Sequence, residues 1–186
     1  MRHRRRPESG SELVARACAG DADALTEIWR RHAPAVAGYF LAHGADDAED
    51  LTSEVFIGVF AKLRSFRGDE EDLRAFVFSV AHHRWVDELR RRSRRGRTDP
   101  YDEQADPRWV PSAEADALSS IDARRARELV EALPPDQREV MLLRFFGDLT
   151  LEQTASTVGK RVEAVKALQH RALARLRKIL EQAVSL

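Results

Sequence analysis

The amino-acid sequence predicts an all-α protein, built as two small helical domains joined by an irregular acidic linker. Three observations carry that prediction. No segment sustains the apolar–polar alternation of a half-buried strand, whereas apolar residues recur at three- and four-residue spacing along most of the chain. Alanine, leucine and arginine, all good helix formers, dominate these periodic segments. Between about Gly96 and Leu118 the periodicity stops. Pro100, Pro107, Pro111 and six acidic residues take its place, with Trp109 and Val110 the only plausible anchor.

The elements follow in order. A first helical unit runs from about Glu12 to Leu41, with Leu25, Ile28, Trp29, Val36, Tyr39 and Phe40 as core. Asp46-Asp47-Ala48-Glu49 offers a capping box for the next helix. That helix carries Leu51, Val55, Phe56, Val59, Phe60 and Leu63 on one stripe. A polar loop, Phe66 to Asp72, leads to a long helix from Leu73 to about Arg95. There Phe76, Val77, Val80, Ala81, Val86 and Leu89 face the core, and Arg84, Arg90, Arg91 and Arg94 face solvent. After the linker, Pro134 and Pro135 suit a helix entrance, and Thr150 with Gln153 has capping-box spacing. Gly147 and Gly159 stand where helix ends favour a left-handed residue. The helix from Thr150 to Val158 makes barely two turns, and another follows within about three residues, which is helix-turn-helix geometry. Ala155 is small enough for two short helices to cross closely. Val165, Leu168, Ala172 and Leu176 form the buried stripe of the last helix. Glu163, Lys166, Gln169 and His170 are left outward, able to reach base edges and phosphates.

Formal net charge is zero over 186 residues, but the charge is segregated. Residues 1–6 carry four arginines, and residues 7–83 hold 14 acids against 7 bases. Residues 84–97 hold 7 arginines against Asp87 and Glu88, residues 98–122 hold 7 acids against Arg108, and residues 123–186 hold 12 bases against 8 acids. Alternating blocks suit surfaces with different partners, some of them anionic. Cys18 is the only cysteine, so no disulfide framework or cysteine-based zinc site is expected. No apolar run follows the basic N-terminus and none approaches a membrane span, so a cytoplasmic protein without membrane insertion is expected.

This order of parts resembles the extracytoplasmic-function (ECF) sigma factors, dissociable promoter-recognition subunits of bacterial RNA polymerase within the sigma-70 superfamily. The first domain is similar to sigma region 2 in Asp47-Ala-Glu-Asp-Leu51 with Glu54, Phe56 and Val59, in Phe66-Arg-Gly-Asp69, and in Phe76 to Ala81 running to Val86-Asp-Glu-Leu-Arg-Arg-Arg92. The last is similar to region 4 in Leu133 to Val140, Leu142-Leu-Arg144, Leu149-Thr-Leu-Glu152, Ala155, Ala164 to Leu168 and Arg171 to Leu176. The resemblance implies a basic N-terminus over residues 1–11, a region 2-like domain over 12–96, the linker over 97–121 and a region 4-like domain over 122–186.

It also implies a division of labour. Asp47, Asp50, Ser53 and Glu54 would meet core RNA polymerase on the clamp helices of its large subunit, with the flap as a further contact. Phe66, Arg67, His83, Arg84, Arg90, Arg91 and Arg94 would engage the melted −10 element of promoter DNA. Arg161, Glu163, Lys166, Gln169, His170 and Arg171 would meet the −35 element. An anti-sigma factor is the implied regulatory partner, and the linker would run through polymerase toward the RNA path. Four positions depart from the family pattern. His83 replaces an asparagine, Ser53 a frequent glutamine, Arg161 the serine or threonine N-cap, and Glu163 a common glycine.

Two other readings compete. A stand-alone helix-turn-helix regulator would bind DNA without polymerase, but leaves the acidic linker and the first basic helix unexplained. An enzyme is disfavoured: no Gly-rich phosphate loop or nucleophile motif occurs, and His82 and His83 diverge by about 100° on a helix. His32 and His43 have no partner at metal-ligand spacing. No cofactor, metal or catalytic residue is expected.

Overall fold

The computed structural model describes residues 10–95 and 128–184. The N-terminal arginines and the acidic linker expected over 97–121 lie outside the described residues. Four helices make the first domain: α1 (Gly10–Cys18), α2 (Ala22–Ala42), α3 (Ala48–Leu63) and α4 (Glu70–Arg95). After a helical stretch over 128–131, the second domain holds α5 (Pro135–Phe146), α6 (Leu151–Val158) and α7 (Val162–Val184).

The single helical unit expected over Glu12–Leu41 is two helices. Gly20 takes a positive φ, and Asp21 then starts α2 by accepting from the amides of Asp23 and Ala24 at 2.9 and 3.1 Å. The capping box expected at Asp46–Glu49 does not form. Asp47 sits at φ −104°, ψ 47°, outside the extended conformation of an N-cap, and its carboxylate makes no capping bond. A reciprocal cap appears instead at α4. Asp69 Oδ1 accepts from the Glu71 and Asp72 amides at 2.9 and 3.0 Å, and Asp72 Oδ2 from the Asp69 amide at 3.2 Å. That cap starts α4 at Glu70, three residues ahead of the expected Leu73.

The first core gathers Leu13, Val14 and Ala17 of α1, Ile28, Val36, Tyr39 and Phe40 of α2, and Leu51, Val55, Phe56, Val59 and Leu63 of α3. Leu73, Val77, Phe78, Ala81 and Trp85 of α4 complete it. Two expected core residues lie at the surface instead, Trp29 at 38% and Leu89 at 47% exposure. The buried row of α4 runs Leu73, Val77, Ala81, Trp85, Glu88 in steps of four and three, which puts Leu89 one position off it. Buried Glu88 is paired with Arg91 and Arg92.

The second domain's own core is small: Val140, Ala155, Val165 and Leu168, with Leu151, Val158 and Val162 packed against it. Leu142, Leu143 and Leu149 instead join the core of the first domain. Two domains were expected to pack separately; part of the second instead completes the core of the first. Close approach makes this possible. A Cβ on Gly38 of α2 would lie 2.6 Å from the Phe146 ring, and one on Gly147 would lie 3.0 Å from the Phe78 ring. Gly147 therefore serves packing rather than the expected left-handed turn: its φ is −84°, and Asp148 takes the positive φ of 48°.

Candidate nucleic-acid interface

Local chemistry builds the helix-turn-helix as expected. The Thr150 hydroxyl accepts from the Gln153 amide at 3.1 Å, and the Gln153 side chain accepts from the Thr150 amide at 2.9 Å. Gly159 ends α6 in the left-handed region at φ 64°, a conformation that costs a residue with a Cβ 1–2 kcal/mol. Ala155 is buried where α6 crosses α7. In α7, Val165, Leu168 and Ala172 turn inward, which leaves Arg161, Glu163, Lys166, His170 and Arg171 exposed and Gln169 half-buried. Arg161 caps α7 only through its backbone carbonyl, which accepts from the Val165 amide at 3.1 Å. Arg175 and Lys178 continue the exposed row from Arg171 at i+4 and i+7 spacing. Sequence reading passed over both, although their spacing was visible.

The second basic surface is the C-terminal half of α4. His83, Arg84, Arg90, Arg91 and Arg94 are all exposed. Several of these arginines already have partners: Arg84 pairs with Glu54 at 3.2 Å, Arg90 with Asp87 at 3.3 Å and Arg91 with Glu88 at 2.5 Å. The Arg84 and Arg90 pairs are exposed and worth about 0–1 kcal/mol, so a phosphate can displace them at little cost, whereas Arg91 is paired with a buried carboxylate. Arg92 is engaged inward. It bonds Glu88 and Asp46 and lies over the Trp85 ring, 5.7 Å from its centroid. Nδ1 of His83 lies 2.6 Å from the Ser79 carbonyl. A carbonyl only accepts, so Nδ1 is the donor in this bond. In the loop before α4, Phe66 is half-buried and stacks on Phe76 at 5.7 Å, while Arg67 is exposed and donates to the Phe66 carbonyl at 2.8 Å.

The third surface is acidic and lies on α3. Asp47, Asp50, Ser53 and Glu54 are exposed, and Ile57, one turn beyond Ser53 and Glu54, is 70% exposed. Sequence reading missed Ile57. Its signal was negative: the buried stripe of α3 is complete without it. Beside this row, Trp29, Pro34, Ala37, Thr52 and Ser53 help line an open groove of about 460 Å³ between α2 and α3, where the Trp29 ring also lies tilted against Phe56 at 4.7 Å.

The region 2 profile of the sigma-70 factors matches residues 28–95, and the region 4 profile matches residues 129–178. The ECF sigma factor SigD of Mycobacterium tuberculosis is 35% identical over 174 residues, covering 89% of this chain and 81% of that protein. ShbA of Streptomyces griseus, also an ECF sigma factor, is 37% identical over 182 residues, covering 91% and 94%. The chain belongs to the ECF sigma factors. In fold this sigma factor is similar to RpoE of Bartonella quintana, solved in complex with the anti-sigma factor NepR. That match has a TM-score of 0.69 at 23% identity, over 84% of this chain and 96% of that one. It is also similar to CnrH, solved with the cytosolic domain of CnrY, at a TM-score of 0.67 and 20% identity. The stand-alone regulator is thereby set aside. Among the described residues no helix is long and apolar enough to cross a membrane.

Proposed function

We propose that this sigma factor docks on core RNA polymerase through α3 and reads promoter DNA through α4 and α7. The observation that carries the reading is the separation of charge onto exposed faces of different helices. The acids of α3, the arginines of α4 and the basic row of α7 each lie opposite a buried stripe. Asp47, Asp50, Ser53 and Glu54 meet the clamp helices, and Ile57 supplies the apolar centre that an otherwise charged patch needs for tight docking. The polar face suits a protein partner with complementary charge, and it repels DNA.

At the −10 element, Phe66 and Arg67 stack on and hydrogen-bond an extruded base, which repays the few kcal/mol of unstacking. His83 is exposed beside these residues and meets the same stretch of promoter DNA. Arg84, Arg90, Arg91 and Arg94 follow phosphates. At the −35 element, Arg161, Lys166, Gln169, His170 and Arg171 face the major groove. Glu163 accepts from a cytosine amino group or repels misplaced phosphate. The domains divide as residues 12–96 and 122–186, with 97–121 as the tether. The flap of polymerase and an anti-sigma factor complete the partner set, and the latter is supported by the similar RpoE of Bartonella quintana, solved with the anti-sigma factor NepR. The factor acts in the cytoplasm and carries out no catalysis itself.

The test is equilibrium binding of labelled core polymerase to three chains. Asp50→Arg lowers affinity at least tenfold, whereas Lys166→Ala and Arg67→Ala leave it within twofold of the wild type. Equal loss in all three would contradict the assignment of α3 to polymerase and of α4 and α7 to DNA.

A further inference from the structure

The buried stripe of α7 stops well before the helix does. Val165, Leu168 and Ala172 pack inward, but Leu173 is 47% and Leu180 45% exposed, so packing loosens while the helix runs on to Val184. At about 1.5 Å per residue, its 23 residues are about 34 Å long. Glu163 to His170, the stretch assigned to base reading, takes about 10 Å of that length, close to the roughly 12 Å width of a major groove. Arg175, Arg177 and Lys178 lie beyond that stretch, and all three are exposed.

The charge of this second half is one-sided. From Ala164 to Leu180 the sequence holds five bases, Lys166, Arg171, Arg175, Arg177 and Lys178, and no acid; Glu181 ends the row. Arg171 and Arg175 are four residues apart, and Arg175 and Lys178 three, so like charges sit on neighbouring turns and weaken the helix. A merely solvated face has no need of that arrangement. The equally arginine-rich α4 sets Asp87 and Glu88 among its bases and pairs them with Arg90, Arg91 and Arg92. The helix dipole does not account for the row either. Cations help in the last turn of a helix, and the last turn of α7 has none. Cations that repel one another and lead away from a base-reading face fit a polyanion continuous with that face.

We propose that the second half of α7 is a backbone clamp: Arg175, Arg177 and Lys178 bind phosphates of the duplex that flanks the −35 element, adding affinity without sequence preference. The clamp rests on the reading that the first half of α7 faces the −35 element. Phosphate contacts fix register and orientation on a duplex, whereas base contacts specify its sequence. Each neutralised phosphate releases condensed counterions, so each clamp residue steepens the fall of log affinity with log salt by about one unit. The clamp sets the strength and salt dependence of promoter binding; Glu163, Lys166 and His170 set which sequence is chosen.

The test is titration of a genomic promoter fragment, mapped by run-off transcription, with holoenzyme at several salt concentrations, repeated on −35 variants of the fragment. The chains are the wild type, Lys166→Ala, and a triple variant carrying Arg175→Ala, Arg177→Ala and Lys178→Ala. Alanine is the best helix former and the three positions are exposed, so the triple variant keeps the fold. It is expected to weaken binding roughly tenfold or more at every −35 sequence and to lower the salt slope by about two to three. Its affinity for core polymerase stays that of the wild type. Arg175→Lys with Arg177→Lys, which keeps the charge, leaves the slope unchanged. An unaltered slope in the triple variant, or a loss that differs among −35 sequences, overturns the clamp. So does a fall in polymerase affinity at constant slope, which would give the row to a protein partner. Lys166→Ala separates the two readings. If it alters the preference among −35 sequences while the triple variant changes nothing, the clamp alone fails. If neither variant affects DNA binding, the −35 reading fails with it.

Discussion

Lys166 and Arg171 stand exposed on a helix whose opposite face is buried. Lys166→Ala or Arg171→Ala is expected to weaken promoter binding by the holoenzyme about tenfold, within the 1–3 kcal/mol of a lost base or phosphate contact. Polymerase affinity stays unchanged, and unfolding temperature moves little. Gel-shift titration of holoenzyme on promoter DNA, beside polymerase binding, checks both halves; loss of polymerase binding would reassign α7. Lys166 was legible because an outward face follows from helical period, whereas Arg171 entered only through the family resemblance. Arg84 was legible only in part. Its exposure followed from the period, but its pairing with Glu54 at 3.2 Å joins two helices and two proposed functions. Breaking that pair by Glu54→Gln frees Arg84 for phosphate. The expected outcome is a steeper salt dependence of promoter binding, measured from the slope of affinity against salt concentration.

At the scale of the element, helix ends decide. The Thr150–Gln153 cap holds α6, an eight-residue helix too short to persist unaided. Thr150→Ala is expected to cost about 1 kcal/mol and Thr150→Ser much less, read from chemical unfolding midpoints of the full chain. This box was legible because both partners lie within four residues and the backbone enters extended. Asp46 and Glu49 offered the same spacing, but α3 starts behind Asp47, whose backbone is not extended, and no box formed. The α4 stripe shows a different limit. Composition placed Leu89 inside and left out Trp85, but a row set by Val77 and Ala81 reaches Trp85 and then Glu88. A buried acid beside two arginines is invisible to a reading that counts apolar letters.

At the scale of the whole molecule, two helical domains were legible and their contact was not. Glu139 is 57 residues from His82 and 100 from Tyr39, so no local pattern connects them. Burial pushes the Glu139 carboxyl up, but the His43 and His82 rings beside it outweigh burial and hold it at about 2. A carboxyl so depressed adds stability that is complete above its unfolded value near 4.5 and is lost as pH falls toward 2. The groups facing it are Tyr39 from α2, His43 at the C-cap of α2 and His82 from α4. Acid unfolding of the wild type and of Glu139→Gln is therefore expected to differ most above pH 4.5 and to converge below about 3. Parallel curves would contradict the ionised carboxyl. The central claim is that this chain gives core polymerase its promoter specificity, and run-off transcription from genomic fragments tests it most directly. Discrete start sites that require both core polymerase and this protein are the predicted result. No protein-dependent transcript, with tight binding to a DNA site in the absence of polymerase, would contradict it.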